Sequence, residues 1–453
     1  QYGSRNNRDR ARGSAQVNRT KRCQPIFERQ QCKTIRKGST GLTERHSLFQ
    51  RIKNRRHSRA QSTAAAPVDR RADRILITQR ELKNYGGSEF FAIEVARALK
   101  NRGREVALYC PAPGKLANIV TPSGIPVCET PDTVPFIPDV IHGQHHLPTM
   151  AALAQFPGVP AIYCWHGARP WVEQPPRHPR IRYHVVTSAR MAPRLATESG
   201  IPADRVVTIP NFVDLDRFSR VRKLNGRPTR AVLYGQAGFY PAELVMLEQA
   251  CAAHGITLDK VGYAYGNPRP RPEYFLPDYD IAFAVGRCAL EAMACGCGVI
   301  PIVPQLAGTL VTSANFDEWA ASNFSPRYFT SANIMDADWL GQEVSAFTAD
   351  SIQEVTLMVR RAHAIGPAIT AFETLYDRAM HAEAPAGSGP EFAHYMAAMA
   401  KQMDAMWGDL ECRKADDVAA QTRIRALEQA NTDAESRIRQ LTDLLLLNKS
   451  DPE

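Results

Sequence analysis

Residues 281–302 read Ile281-Ala-Phe-Ala-Val285-Gly286-Arg287-Cys288-Ala-Leu-Glu291-Ala-Met-Ala-Cys-Gly296-Cys-Gly-Val-Ile300-Pro-Ile302. The apolar run that ends at Val285 is long enough for a buried strand. A helix opens near Cys288 and runs to Ala294. Gly296 stops it, and 298–302 is a second apolar strand. Strand, helix and strand in such close succession make one crossover of a parallel sheet with helices on both faces. Free N–H groups at 286–288 would open that helix and can hold a diphosphate. Glu291 falls in the first turn of the predicted helix. A carboxylate there either accepts two hydrogen bonds from a ribose diol or offsets the helix dipole.

The same alternation extends in both directions. Upstream, 231–234 starts this second series, and 221–229 breaks the pattern into an interdomain linker of Arg, Lys, Asn, Gly and Pro. A first series begins with a strand at 74–78 and a loop over 80–86. The helix predicted over 87–102 points Phe90, Phe91, Val95 and Leu99 inward and Glu94 to solvent, and Gly103 is its C-cap. Strands follow at 105–110, 139–142, 161–165, 184–187 and 206–209. Ser188 is expected to cap a helix that runs to Ser199, with Gly200 closing it. Downstream, 371–380 reads as a closing helix and 381–390 as a linker rich in Ala, Gly and Pro.

The chain has 453 residues, 44% hydrophobic and 23% charged, a globular composition with room for two or three domains. Its net charge of +10 is uneven: residues 1–75 hold 20 Lys and Arg against 5 Asp and Glu, which leaves the rest mildly acidic at −5. The basic character therefore belongs to a tail, and no specific nucleic-acid partner is expected of the body. Residues 1–72 carry few large apolar residues and are predicted to be disordered. They suit an arm for nucleic acid or anionic membrane, a transit peptide, a solvated tail or non-native upstream sequence. No run approaches about 18 apolar residues, so no transmembrane helix is predicted, and no signal-peptide pattern opens the chain. The ten cysteines include no CxxC pair and read as reduced, cytoplasmic thiols. Cys295-Gly-Cys297 lacks a second pair at ligand spacing, so no metal site is assigned.

Beyond 390 the period changes. From Ala420 through Ile424, Leu427 and Asn431 to Leu445 the spacing alternates four and three, a heptad seam with Asn431 at an a position. A self-associating coiled coil over 413–448 and a single helix docked on the body both fit. A similar stripe of Met and aromatic residues covers 392–410 and suits packing better than a cofactor site.

Chemistry can sit at three further places. Gly86-Gly87-Ser88-Glu89 lies between strand and helix, where glycine lets backbone N–H groups approach an anion. It is not the spaced three-glycine dinucleotide fingerprint. His142, His145, His146 and His166 follow two strands at the ligand-binding end of the first sheet, as a base, acceptor contacts, metal ligands or structural residues. The Asp-x-Asp pairs at 214, 278 and 336 are discounted as metal sites, because none ends a strand of the first domain.

Taken together, these residues resemble family 4 glycosyltransferases over about 74–380. The motifs are the Gly86-Gly87 turn, Trp165-His166-Gly167, the Pro210-Asn211-Phe212-Val213-Asp214 stretch through Phe218, Leu290–Gly296 and Leu375-Tyr376. Phe212 replaces the family's usual glycine. The resemblance implies the GT-B fold: two Rossmann-like domains, 73–222 on the acceptor side and 229–380 for the nucleotide-sugar, facing across a cleft. A helical or coiled-coil extension covers 391–448. It further implies retaining, metal-independent transfer from a UDP- or GDP-linked sugar to a glycan or lipid-linked acceptor, with a cell-envelope, capsule or other glycan expected. No cofactor is implied. In that reading Glu291 binds the donor ribose, while Gly286, Arg287 and Cys288 hold the diphosphate or sugar. Gly86 and Gly87 approach from the other domain, and His145 or His166 lines the acceptor side. Two positions depart from the family: Phe283 stands where a second glutamate is usual, and Gly235-Gln-Ala-Gly-Phe239 lacks the usual cations. Arg287 can substitute for those cations. A catalytically reduced scaffold or sugar-binding subunit is the alternative. A cytoplasmic protein with peripheral contact at the inner membrane face is expected.

Overall fold

The computed structural model describes residues 71–167, 171–224, 226–235, 238–328, 333–334, 336–383 and 390–447. The expected disorder over 1–72 lies outside these residues except for its last two, as does most of the 381–390 linker.

Seven parallel strands form the first sheet in the order β3-β2-β1-β4-β5-β6-β7. They are β1 (Arg74–Thr78), β2 (Glu105–Tyr109), β3 (Val127–Cys128), β4 (Val140–Gln144), β5 (Ala161–Trp165), β6 (Ile181–Val186) and β7 (Val206–Thr208). The apolar runs of the inner strands β1, β4 and β5 are buried on both faces, the signature of a parallel sheet covered by helices. Helices α1 (Gly87–Asn101), α2 (His146–Gln155) and α3 (Ala192–Ser199) supply part of that cover. The order reverses between β1 and β4, so a crevice opens beyond Thr78 and Gln144.

A second parallel sheet runs β11-β10-β8-β9, from β8 (Arg230–Tyr234), β9 (Thr257–Val261), β10 (Ile281–Phe283) and β11 (Gly298–Ile300). It is flanked by α4 (Pro241–Ala253), α5 (Gly286–Ala294), α6 (Ala337–Ser345) and α7 (Ala349–Ala362). Its switch point lies between β8 and β10. At this end Gly262 permits a close approach: a Cβ there would stand 1.9 Å from the carbonyl oxygen of Gly235.

The chain crosses between the sheets twice, and the crossings bond to each other. Val213 N–H donates to His363 O at 2.8 Å and Ile365 N–H to Val213 O at 3.0 Å. The return crossing leads into α8 (Ile365–His381), which starts earlier than the predicted 371. This helix leaves the second sheet and buries Ile369, Phe372, Leu375 and Tyr376 against Ile75 and Ile77 of the first. Further along the chain lies the long helix α9 (Pro390–Leu447).

Local details differ from the sequence reading for physical reasons. Glu94 does not face solvent; it is 4% exposed, because α1 is covered on its outer side as well. Ser188 makes no side-chain cap. Its hydroxyl donates to Ala321 O at 2.5 Å, and a short 3₁₀ turn precedes α3. Gly200 does close α3, with φ of 61°. The helix expected near Cys288 begins at Gly286, so Glu291 sits in its second turn.

Candidate active site

The switch points of the two sheets line one cleft. Its walls include Gly86, Gly87 and Phe90 from the start of α1, Tyr234 and Gly235 at the end of β8, and Arg287, Cys288 and Glu291 of α5. The structure thus brings together five of the predicted donor-side residues. Gly87 faces Arg287: a Cβ on Gly87 would lie 3.9 Å from Arg287 Cδ. Gly86 is crowded by its own helix, since a Cβ there would meet Glu89 Oε2 at 2.2 Å.

Gly286 plays a different part from the one expected. Its N–H is not free but donates to Asn323 O at 3.1 Å. Its φ of 59° suits glycine and turns the chain from β10 into α5. The N-terminal end of the helix is thereby left to Arg287 and Cys288 for any anion.

An ion-pair cluster fills the floor of the cleft. Glu94 Oε2 accepts from Arg287 Nη2 at 2.6 Å, and its Oε1 accepts from Arg217 Nη1 at 2.8 Å. Arg217 also pairs with Glu273 at 2.9 Å. Glu291 accepts from Tyr234 Oη at 2.9 Å and from Arg287 Nη2 at 3.4 Å. Burial pushes the Glu291 carboxyl above its usual range, while Arg287 and Arg217 oppose that shift. Burial likewise pushes the Cys288 thiol up to about 12, so it is no thiolate nucleophile at neutral pH. Arg287 Nη1 is buried and has no hydrogen-bond partner among the described residues. Arg217, Arg269 and Arg287 are the arginines among the residues that line the cleft. Phe283 is 1% exposed and packs in the core beneath β10, so that position presents no group to the cleft.

The histidines divide by role. His142 is a core residue: Nδ1 bonds Tyr376 Oη at 2.6 Å and Nε2 lies 3.1 Å from Cys164 Sγ. His146 Nδ1 bonds Tyr395 Oη of α9 at 2.8 Å. His145 has an unusual φ of 59°, and both its ring nitrogens are engaged. Its Nε2 lies 3.3 Å from Glu173 Oε1, and its Nδ1 accepts from Arg80 N–H at 3.4 Å. Although burial favours its neutral form, Glu173 is held below its usual range by His145 and His166. His166 Nε2 bonds Gln144 Oε1 at 2.7 Å. Burial is the main force lowering His166 to about 4, with His145 and Arg287 adding to it. Its ring packs on Phe91, Phe91 packs on Phe212, and Arg287 stacks over Phe212 at 5.4 Å. His166 is therefore linked to the arginine cluster through packed rings.

Glu94, Arg217, Tyr234 and Glu173 carry much of this geometry and were not singled out by sequence. A signal existed for Glu94, a lone charge inside the apolar run Phe90-Phe-Ala-Ile-Glu94-Val-Ala96. A helix that is apolar all round is buried, and a buried charge needs a partner. Among the described residues no group of His, Cys, Asp and Glu is arranged to hold a metal ion. No helix among them is long and apolar enough to cross a membrane.

The family model for Glycosyltransferase Family 4 matches residues 134–217, from just before β4 to Arg217 in the crossing. No curated protein matches the chain. A solved glycosyltransferase from Rickettsia africae ESF-5 shares the fold at a TM-score of 0.50 and 14% identity, over 69% of this chain and 100% of that one. Anabaena Alr3699/HepE, solved in complex with UDP and glucose, aligns at 0.45 and 14%, over 67% and 99%. MurG of Acinetobacter baumannii aligns at 0.40 and 10%, over 68% and 99%. Residues 134–217 thus match the family 4 glycosyltransferase model, and the two Rossmann-like halves share the fold of a solved glycosyltransferase.

Proposed function

We propose that the protein transfers a sugar from a nucleotide-sugar donor, UDP- or GDP-linked, to a glycan or lipid-linked acceptor of the cell envelope. The transfer is retaining and needs no metal. Residues 73–222 form the acceptor domain and 229–380 the donor domain, apart from the helix that returns to the first. The observation that carries this reading is Arg287. A buried guanidinium with an unsatisfied Nη1, at the N-terminal end of α5 and opposite Gly87, lacks an acceptor that a phosphate oxygen would supply. The α5 N-terminal amides favour the same anion.

Glu291 takes the ribose hydroxyls once Tyr234 and Arg287 yield them. Gly86 and Gly87 approach the phosphates. His166 lines the acceptor side, and His145 with Glu173 fixes that wall. The protein works in the cytoplasm, peripherally at the inner membrane face, and self-associates through 413–448.

The test is thermal shift of the full chain against UDP-, GDP-, ADP-, CMP- and dTDP-sugars, with Glu291→Ala beside it. Ligand at a hundred times its dissociation constant adds about 2.7 kcal/mol to stability. A shift with one nucleotide class, lost in Glu291→Ala, supports the reading. No shift with any donor supports the alternative, a catalytically reduced scaffold or sugar-binding subunit. Two features favour that alternative: Phe283 in the core, and Glu94 already holding both arginines.

A further inference from the structure

We infer that α9 is one strand of a parallel, in-register two-stranded coiled coil with a second copy of this chain, along its whole length. The inference rests on the self-association proposed above and extends it. The two apolar stripes, 392–410 and 420–445, share one phase. From Leu410 to Ala420 the steps are three, four and three, so Arg413 and Asp417 fall on the same seam. One uninterrupted heptad register therefore spans about eight heptads of a helix roughly 87 Å long.

The seam stands open. Met403, Leu427 and Ile438 are 65%, 64% and 62% exposed. Large apolar side chains aligned on one face of an isolated helix need a partner. The root of the helix is tied to the body through Tyr395 and His146, at a g position beside the seam. Phe392 and Met396, on the seam at that root, are still 37% and 52% exposed. The body therefore does not occupy the seam.

Asn431 selects a second copy in parallel, and flanking charges are compatible with it. In that register each g residue faces the e residue five positions on. Asp409 then meets Lys414 of the partner subunit, and Arg423 meets Glu428 of the partner subunit. Asn431 meets its own counterpart at an a position, where a paired Asn fixes a two-stranded register. Arg413 and Asp417 each face their own counterpart on the seam, a like-charge cost that the opposite sign of the adjacent layer offsets. The antiparallel arrangement that sets Arg413 against Asp417 would bring Lys414 and Asp416 each against its own copy. It would also leave Asn431 facing Met399, an amide without a polar partner. A parallel coil puts both glycosyltransferase bodies at one end, side by side.

The experiment uses the full chain with Cys412→Ser as background. Met403→Cys in that background is expected to form a disulfide-linked dimer on mild oxidation, because an a position faces itself in a parallel coil. Val418→Cys, off the seam, and the background alone are expected not to. Sedimentation velocity is expected to give a dimer for all three under reducing conditions. A dimer in which Met403→Cys does not link to itself, but links to Leu427→Cys in a mixture, is antiparallel and overturns the inference while leaving self-association standing. A monomer with no link overturns both. A monomer that floats with anionic phospholipid vesicles assigns the seam to a membrane and also overturns both.

Discussion

Replacing Glu94 with Gln probes the closure of the cleft. Glu94 is the first-domain carboxylate that holds Arg217 and Arg287. Its side chain is 3% exposed, theirs 18% and 7%. Removing one partner of a buried pair costs about 3–5 kcal/mol, because the remaining charge is left uncompensated. Here each arginine keeps a second carboxylate: Arg217 has Glu273 at 2.9 Å and Arg287 has Glu291 at 3.4 Å. The lower end, about 3 kcal/mol, is therefore expected. For domains of this size it corresponds to a fall in melting temperature of roughly 6–12 °C by scanning calorimetry. Glu94→Asp keeps the charge but cannot reach both guanidinium groups, so it should fall between wild type and Gln. A Glu94→Gln melting temperature within about 2 °C of wild type would refute the idea that this cluster ties the two halves together.

Acid should unfold the protein early. Burial lowers His166, His184 and His146 to about 4 and His142 to about 3. The unfolded chain takes up these protons near pH 6.5, while the folded chain refuses them, so stability present above pH 6.5 is lost as pH falls toward 4. Each histidine steepens the loss by up to about 1.4 kcal/mol per pH unit; denaturant midpoints at pH 8, 7, 6 and 5 measure it, and a flat series would contradict it. Phe283→Glu, which restores the family's usual residue, should destabilise by at least about 3 kcal/mol by burying an unpaired charge, whereas Phe283→Leu should fold normally. A stable Phe283→Glu protein with tighter donor binding would show that this side chain can reach the cleft.

Much of the fold was legible because parallel strands buried on both faces are short apolar runs, and β1, β4, β5 and β10 all have them. Gly103 and Gly200 marked helix ends correctly, since both adopt the positive φ that a C-terminal cap asks for. The strand β9 was missed for a related reason. It is the edge of its sheet and half exposed, so Thr257-Leu-Asp-Lys-Val261 carries charge where a central strand would not. The misplaced groups near the site share a different cause. Ser188 has the right chemistry for a cap, and Gly286 the right position for an anion-binding amide. Each is claimed instead by a residue far along the chain, Ala321 and Asn323. Local pattern cannot report such contacts: the Gly286–Asn323 bond exists only once the second domain has folded, and the Ser188–Ala321 bond only once the two domains have docked.

The arginines of the cleft sharpen the point. The stretch after β8, Gly235-Gln-Ala-Gly-Phe239, holds no cation. A buried anion, however, needs positive charge at a point in space, whichever element delivers it. Arg287 lines the cleft from α5 and Arg217 from the crossing between the sheets. One half of the arrangement was readable: Arg287 and Glu291 are four apart on a helix and must be neighbours. The other half, Glu94, lies 193 positions from Arg287 and meets it only when the halves close. The relocation has a chemical consequence. Arg217 and Arg287, where the two domains meet, are held by the first-domain carboxylate Glu94. A donor bound as proposed would meet the unpartnered Arg287 Nη1 and compete with Glu94 for the rest of the two guanidinium groups, which would couple occupancy of the site to the contact between the domains.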